Sequence, residues 1–584
     1  MADFDDVVRT QHFVEARDGA RLHVVVVAPA AATEPLPIIL KRTPYGVTQQ
    51  LDDGPIETAF RELAEDGYIF AYADVRGTGQ SEGEFIMNGA LHDPDDPDGV
   101  DEATDTWDTV EWLVNNVPNN DGGVGVTGVS YPGWLAGIAA VNPHPAVKAV
   151  SPQAPMTDTW MGDDFFHQGA FRMAFGVEYA TAMEWPDDVP RTLKLDRYDR
   201  YDWYLQFPTL SELAESQGIA NLPSWTGFRE HPEWDEYWQA KALQTILTEP
   251  TVPILTVGGY WDQEDLLGPW ALYRGVEGSD VDNVNSIVMG PWFHGGWAGR
   301  QGDSIGPVYL GTGTGMHFRA EIQRPWFAYH LKGIGDGDFA DAYMFEVVGE
   351  RWHAFDDWPP PNAEARNLYL HADGVLSFDA PSAAGSDSYV SDPEHPIPYI
   401  ARPVDGRRWR QWMVEDQRFV HNRPDVLSWE TGVLEEDIVI AGEVIAKLVA
   451  STTGTDADWV VKLIDVYPDS VAGDPTMGGY QLMVSSDVMR GRYYESFSEA
   501  RPIPANTPTD FTVDLHGHVY RFEAGHRMMV QIQSTWFPLY DRNPQTFVPN
   551  IFEAEASDYR AQTHTIHYAP GERTSHISVG VIPG

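Results

Sequence analysis

Cysteine is absent from this chain. That excludes disulfides, thiolate metal sites and a cysteine nucleophile, and it leaves the redox compartment open. Lysine is scarce, found only at 41, 148, 194, 241, 332, 447 and 462. No run approaches the ~20 apolar residues of a spanning helix. The opening residues, Met1-Ala-Asp-Phe-Asp-Asp6, offer neither the basic n-region nor the apolar h-region of a secretion leader. As written the chain is therefore expected in the cytoplasm; a trimmed leader would make it periplasmic or secreted. Basic residues are few: 38 Lys and Arg face 88 Asp and Glu, and 38 − 88 gives a formal charge of −50. Such a field repels phosphate backbones and anionic lipid, so neither nucleic acid nor membrane is expected as a partner. Excess acid with little lysine also suits high salt, where screening weakens self-repulsion; an ordinary soluble acidic surface is the alternative.

What is present is globular. The 584 residues are 42% hydrophobic and 22% charged, enough for a few domains at roughly 150 residues each. No internal repeat stands out. The acidic stretch Asp93-Pro-Asp-Asp-Pro-Asp-Gly-Val-Asp101 lacks EF-hand ligand spacing and reads as a solvated loop, with a calcium site as the alternative.

The first third alternates strand and helix signals. Asp18-Gly19 marks a hairpin turn before a strand over 22–27; further strands are expected over 38–40, 68–73, 124–126 and 147–150. Helical spacing covers 104–114, with Trp107, Val110 and Val114 on one face, and 134–141. This order predicts a largely parallel sheet with helices on both faces. From about 156 to 250 the chain is rich in Trp, Tyr, Phe and acids and reads as helices without strands, a cap over the sheet. Strand signals return over 254–257 and 286–289. After about 340 short strands dominate, over 345–348, 368–370, 444–449, 459–464 and 528–532, with the Pro-rich loop Trp358-Pro-Pro-Pro-Asn362 among them. That is a β-sandwich or jelly-roll pattern.

The sharpest motif is Gly128-Val-Ser130-Tyr-Pro-Gly133, between the strand over 124–126 and the helix from 134. It is a G-x-S-x-x-G relative of the nucleophile elbow, in which a tight strand-to-helix turn exposes the serine and aims first-turn amides at a developing oxyanion. Alone, it is as readily a structural turn. An acid and a histidine follow in the order this architecture requires: Asp262, beyond the strand over 254–257, and His294, in Gly290-Pro-Trp-Phe-His294 beyond the strand over 286–289. Singly, Asp262 reads as a surface acid and His294 as a loop histidine. Together with Ser130 they read as a triad in which His294 moves the serine proton and Asp262 fixes the imidazole tautomer.

On these residues the chain resembles the α-amino acid ester hydrolases, within the wider family of cocaine esterase and the X-prolyl dipeptidyl peptidases. Further matching stretches are Ala103-Thr-Asp-Thr-Trp-Asp-Thr109, Trp160-Met-Gly-Asp-Asp-Phe-Phe-His-Gln-Gly-Ala-Phe-Arg172, Trp261-Asp-Gln-Glu-Asp265, Asp456-Ala-Asp-Trp-Val-Val-Lys-Leu-Ile-Asp-Val-Tyr-Pro468, Met477-Gly-Gly-Tyr-Gln-Leu-Met-Val484 and Gln533-Ser-Thr-Trp-Phe-Pro-Leu-Tyr-Asp-Arg-Asn-Pro-Gln545. They span nearly the whole chain. The resemblance implies an α/β class: an α/β-hydrolase fold over 1–155 and 251–340, a helical cap over 156–250 and a C-terminal jelly roll over 341–584. It implies Ser130, Asp262 and His294 as the triad. It implies an oxyanion hole from the Tyr45 hydroxyl and the Tyr131 backbone N–H; the residues alone would make Tyr45 a core aromatic. It also implies a carboxylate trio, Asp164, Glu264 and Asp265, that grips a substrate α-ammonium group.

That last inference is chemically sensible. Clustered carboxylates repel one another, and an ammonium relieves the repulsion through charge-assisted hydrogen bonds. The alternative for Asp164 is a metal site with His167, one helical turn away; the expectation is no metal and no cofactor. The implied activity is hydrolysis or transfer of the acyl group of α-amino acid esters and amides, including β-lactam antibiotics, on a small-molecule substrate with a free α-amino group. A general carboxylesterase or an X-Pro-type aminopeptidase of the same fold, and a non-catalytic ligand-binding protein, are the rivals. Homo-oligomerisation is left open. One departure stands out: Pro132 occupies the place where the family commonly has Glu. Pro is accepted in a helix's first turn, but the lost carboxylate alters the pocket's charge.

Overall fold

The computed structural model describes residues 7–51, 56–92, 96, 99–185 and 193–583. Most of the acidic stretch 93–101 lies outside them. The chain forms two compact units. The first holds Met1–Asp158, Gln239–Phe345 and Glu350–Asp357; the second holds Thr159–Trp238, Glu346–Gly349 and Trp358–Gly584.

The first unit is built on a ten-stranded sheet. Its spatial order is Val7–Glu15, Arg21–Pro29, Ile69–Asp74, Leu36–Thr43, Asn120–Val129, Val147–Gln153, Ile254–Gly259, Asn285–Gly290, Ala342–Glu346 and Arg351–Phe355. The first two pairings are antiparallel, and Asp18-Gly19 turns the opening hairpin. From Ile69–Asp74 to Ala342–Glu346 every pairing is parallel. Three of the parallel strands, Ile69–Asp74, Ile254–Gly259 and Asn285–Gly290, are buried along their whole length, as strands covered on both faces must be. The strand expected over 345–348 is Ala342–Glu346, and it extends this sheet by pairing with Asn285–Gly290.

Helix Glu102–Asn116 is capped by Asp101, whose side chain accepts the Thr104 N–H. Its buried stripe runs through Thr106, Thr109, Val110 and Leu113, so the face is rotated from the expected one. Trp107 is 37% exposed and sets its ring edge-on to His144 at 4.6 Å. The spacing accommodates either stripe; a long apolar Leu113 against the sheet outweighs an indole that can sit at a rim.

In the second unit, the described residues of 159–238 carry five helices and also a hairpin of two-residue strands, Phe166–His167 and Ala170–Phe171. The expectation of helices without strands is corrected there. The aromatic richness of this stretch has a packing cause: Phe166, Phe171 and Phe228 meet with ring centroids 5.1 to 5.9 Å apart, and Phe552 closes on Phe171 at 5.0 Å. The C-terminal region forms a seven-stranded sheet and a four-stranded sheet, both antiparallel throughout. The hairpin is tied to them. His167 Nδ1 pairs with Asp487 at 2.8 Å, and the Gln168 carbonyl accepts the Arg490 N–H.

Strand Asp458–Val466 buries Lys462 completely. Its ammonium donates to Gln417 Oε1 at 2.8 Å and Gln533 Oε1 at 3.0 Å, and burial pushes its pKa down to about 7. The folded state therefore holds fewer protons here than the unfolded chain between pH 7 and the ordinary lysine value, and this residue's contribution to stability rises with pH across that window. We expect the Tm of wild type, relative to Lys462→Met, to climb between pH 7 and pH 9.5, as scanning calorimetry would read; a constant difference would contradict a lysine pKa lowered by burial.

Candidate active site

Strand Asn120–Val129 runs directly into helix Tyr131–Ile138, with Ser130 as the N-cap at φ 71°, ψ −133°. A non-glycine residue held in that region costs on the order of 1–3 kcal/mol and marks a locally over-determined turn. The determinants are visible. The Ser130 N–H donates to the Gln153 carbonyl at 2.9 Å, and the Ser130 carbonyl accepts the Trp134 N–H at 2.9 Å. A Cβ at Gly133 would lie 2.2 Å from that same Gln153 oxygen, and one at Gly128 would lie 2.4 Å from Pro132 Cβ. Both flanking glycines are thus required by close approach, and the helix starts three residues earlier than its apolar pattern suggests. Pro132 sits in the first turn, where its missing N–H has no intrahelical partner to lose.

Asp262 and His294 meet in one loop cluster. Asp262 is 1% exposed. Its Oδ1 accepts the backbone N–H groups of Glu264 at 2.9 Å and Asp265 at 3.0 Å, and both its oxygens face His294 Nδ1, at 2.8 and 3.0 Å. With Nδ1 committed to a carboxylate, Nε2 is the imidazole nitrogen left to exchange a proton. Two more acids crowd the ring: Glu264 Oε2 lies 3.4 Å from Nε2, and buried Asp265 Oδ2 lies 3.9 Å from Nδ1.

The topology brings His294 toward Ser130. Parallel register aligns Val129 with Gln153, Gln153 with Val257, and Val257 with Val288. The His294 strand is therefore three places from the Ser130 strand, about 14 Å at the usual spacing. The loop after Gly290 folds back across that gap. A Cβ on Gly295 would meet Val129 Cγ1 at 3.6 Å, and Trp297 Nε1 donates to Gln153 Oε1 at 2.7 Å. Tyr45 follows Leu36–Thr43, the neighbour of Asn120–Val129 on the other side. It is half-buried, and its phenol lies within coulombic reach of Tyr131. The Tyr131 ring is buried, its hydroxyl accepts the Asn88 N–H at 2.8 Å, and burial raises its pKa. Its backbone N–H belongs to the first helical turn, where no i−4 carbonyl is available.

Asp164 belongs to the second unit. It is 3% exposed, and its carbonyl accepts a hydrogen bond from Arg172 Nη1. The turn-of-helix spacing expected for Asp164 and His167 does not occur, because His167 lies in the short hairpin with Nδ1 on Asp487.

Residues 18–296 match the X-Pro dipeptidyl-peptidase (S15 family) pattern, and residues 327–578 match the X-Pro dipeptidyl-peptidase C-terminal non-catalytic domain. The chain belongs to the X-Pro dipeptidyl-peptidase (S15) family. This S15 chain is 28% identical over 617 residues to cocaine esterase of Rhodococcus sp. (strain MB1 Bresler), with 100% of both chains covered. Two solved structures resemble it throughout. An aminopeptidase from the marine sediment archaeon Thaumarchaeota archaeon shares 39% identity at a TM-score of 0.95, covering 100% of this chain and 98% of the other. An α-amino acid ester hydrolase shares 40% at 0.93, covering 100% and 97%. The S15 protein is a serine hydrolase with an α/β-hydrolase fold and a β-rich C-terminal domain. Among its described residues no helix is long and apolar enough to cross a membrane.

Two residues of this candidate site carry no clear sequence signal. Gln263 accepts the His294 backbone N–H on its side-chain carbonyl at 3.1 Å and donates to Glu264 Oε1 at 3.0 Å. It lies inside the Trp261–Asp265 motif, and that position was its only signal. Gln153 binds both the serine turn and the histidine loop, and nothing in its own neighbourhood announces it. The turn makes a direct prediction. Gly133→Ala, whose methyl would strike the Gln153 carbonyl, should lower Tm by more than about 5 °C or abolish soluble expression. Gly278→Ala, with nothing within 4 Å of the new methyl, should leave Tm within about 1 °C of wild type. Equal Tm values for the two would refute the close-approach argument.

Proposed function

We propose that this hydrolase cleaves, or transfers to an amine, the acyl group of α-amino acid esters and amides, β-lactam antibiotics with an α-amino acyl side chain among them. Ser130 attacks the acyl carbon and His294 Nε2 takes its proton. The Tyr131 N–H and the Tyr45 hydroxyl hold the oxyanion, and His294 returns the proton to the departing alcohol or amine. Water or an amine then attacks the acyl-enzyme through the same base, releasing Ser130.

The observation that carries the substrate class is the acid crowding at His294. Glu264 stands 3.4 Å from the nitrogen that must serve Ser130. In the free enzyme that carboxylate competes for the proton the reaction needs. A substrate ammonium bound to Glu264 and Asp265 withdraws the competitor and fixes the acyl carbon at a set distance. The amine is then needed for turnover as well as for binding.

A second reading, an aminopeptidase, has a specific support in the archaeal aminopeptidase at 39% identity. It needs the same ammonium pocket and differs in the leaving group. Two comparisons test the proposal. Phenylglycine methyl ester should exceed its des-amino analogue in kcat/KM by at least about 100-fold, and Glu264→Gln should shrink that ratio at least tenfold, mainly by slowing the amino ester. Equal rates on the two esters in wild type would overturn the ammonium reading. Faster release from aminoacyl peptides than from the ester would favour the aminopeptidase.

A further inference from the structure

Gln153 ends strand Val147–Gln153, beside Val129 on one side and Val257 on the other. It is 4% exposed, and its backbone carbonyl, side-chain carbonyl and side-chain amide are all engaged. Its backbone carbonyl accepts the Ser130 N–H at 2.9 Å. Its side-chain carbonyl accepts Trp297 Nε1–H at 2.7 Å. Its amide donates to Thr127 Oγ1 at 3.2 Å and Ser151 Oγ at 3.3 Å, which fixes the amide plane and so the direction of the carbonyl. Trp297 is itself immobilised: it is fully buried, its ring lies 5.2 Å from that of Trp292, and its backbone carbonyl accepts a hydrogen bond from Arg319.

We infer that Gln153 is a positioning residue, a rigid brace that sets the distance between the Ser130 turn and the His294 loop. The inference rests on the triad reading above. One residue holds the nucleophile's turn by its main chain and, by its side chain, the loop three residues beyond the base. The two loops leave strands that do not pair with each other, so no ladder hydrogen bond spaces them, and this bridge supplies the spacing. Displacements of about 1 Å between nucleophile and base cost on the order of 100-fold in rate. The chemistry needs a side chain that accepts toward Trp297 and donates toward Thr127 and Ser151, which an amide does without charge. Methionine has nearly the same shape and does neither.

The test uses full-length Gln153→Met, Trp297→Phe and the double variant. Three readouts are taken: Tm, steady-state kinetics on phenylglycine methyl ester, and the rate of Ser130 labelling by a fluorophosphonate. We expect each single change to lower kcat and the labelling rate at least tenfold per folded molecule, with KM within about threefold. The double variant should be no worse than the poorer single, because both remove one bond. Trp297→Phe keeps a ring in the core and carries the test if Gln153→Met folds poorly. Labelling rates within twofold of wild type in the folded singles, or losses that multiply in the double, would overturn the brace. A wild type that reacts with fluorophosphonate elsewhere than Ser130, or not at all, would overturn the triad reading itself.

Discussion

The backbone at position 130 is the constraint on which the site depends. A serine with φ near +71° is uphill of its ordinary conformations, and it persists because its neighbours leave no alternative. Gly128 and Gly133 make room for Pro132 and the Gln153 carbonyl, that carbonyl takes the serine N–H, and the helix begins at once. Ser130 thereby sits half-buried at the carboxyl end of strand Asn120–Val129, as the N-cap of the helix that follows.

Around His294 the structure accumulates a second, electrostatic tension. Asp262 is satisfied by two backbone N–H groups and by Nδ1, but Glu264 and Asp265 bring further carboxylate oxygens within 4 Å of the same ring. Like charges this close repel one another and favour any cation that enters. On the proposed reading the free enzyme holds this repulsion in reserve and the substrate's amine relieves it. Recognition and activation then become the same event. On that reading Glu264 stands beside the nitrogen that takes the serine proton because the substrate's ammonium is its partner.

How much of this could be read in the sequence follows from how local each feature is. Gly128, Ser130 and Gly133 lie within six residues between a β-branched strand and an apolar helix, so the turn is visible as a pattern. Asp262 and His294 each follow a short apolar strand in the expected order. The β-rich end of the chain announced itself through its many Gly/Pro turns. The hairpin at Phe166–Phe171 left no trace, because strands of two residues have no period. The strand at Ala342–Glu346 looked like the first of the C-terminal strands, because a sequence shows that a segment is extended and not which neighbour it will pair with. Trp107 was misplaced on its helix because its spacing fits two stripes and only packing chooses between them. Gln153 and Gln263 were invisible for a further reason. A glutamine's role is set by partners far away in the chain, here Trp297 and His294, and glutamine has no spacing signature of its own.

The proposed chemistry depends most directly on the Asp262–His294 pair. Asp262→Asn keeps the shape of the side chain and the two backbone hydrogen bonds to its oxygen, while removing the charge and permitting the wrong imidazole tautomer. The decisive measurement is the single-turnover rate of acylation by phenylglycine methyl ester in folded Asp262→Asn. The expected result is a fall of about 1,000-fold or more with the Tm little changed. A rate within tenfold of wild type would show that the imidazole does not depend on this carboxylate, and the proposed chemistry would have to be abandoned.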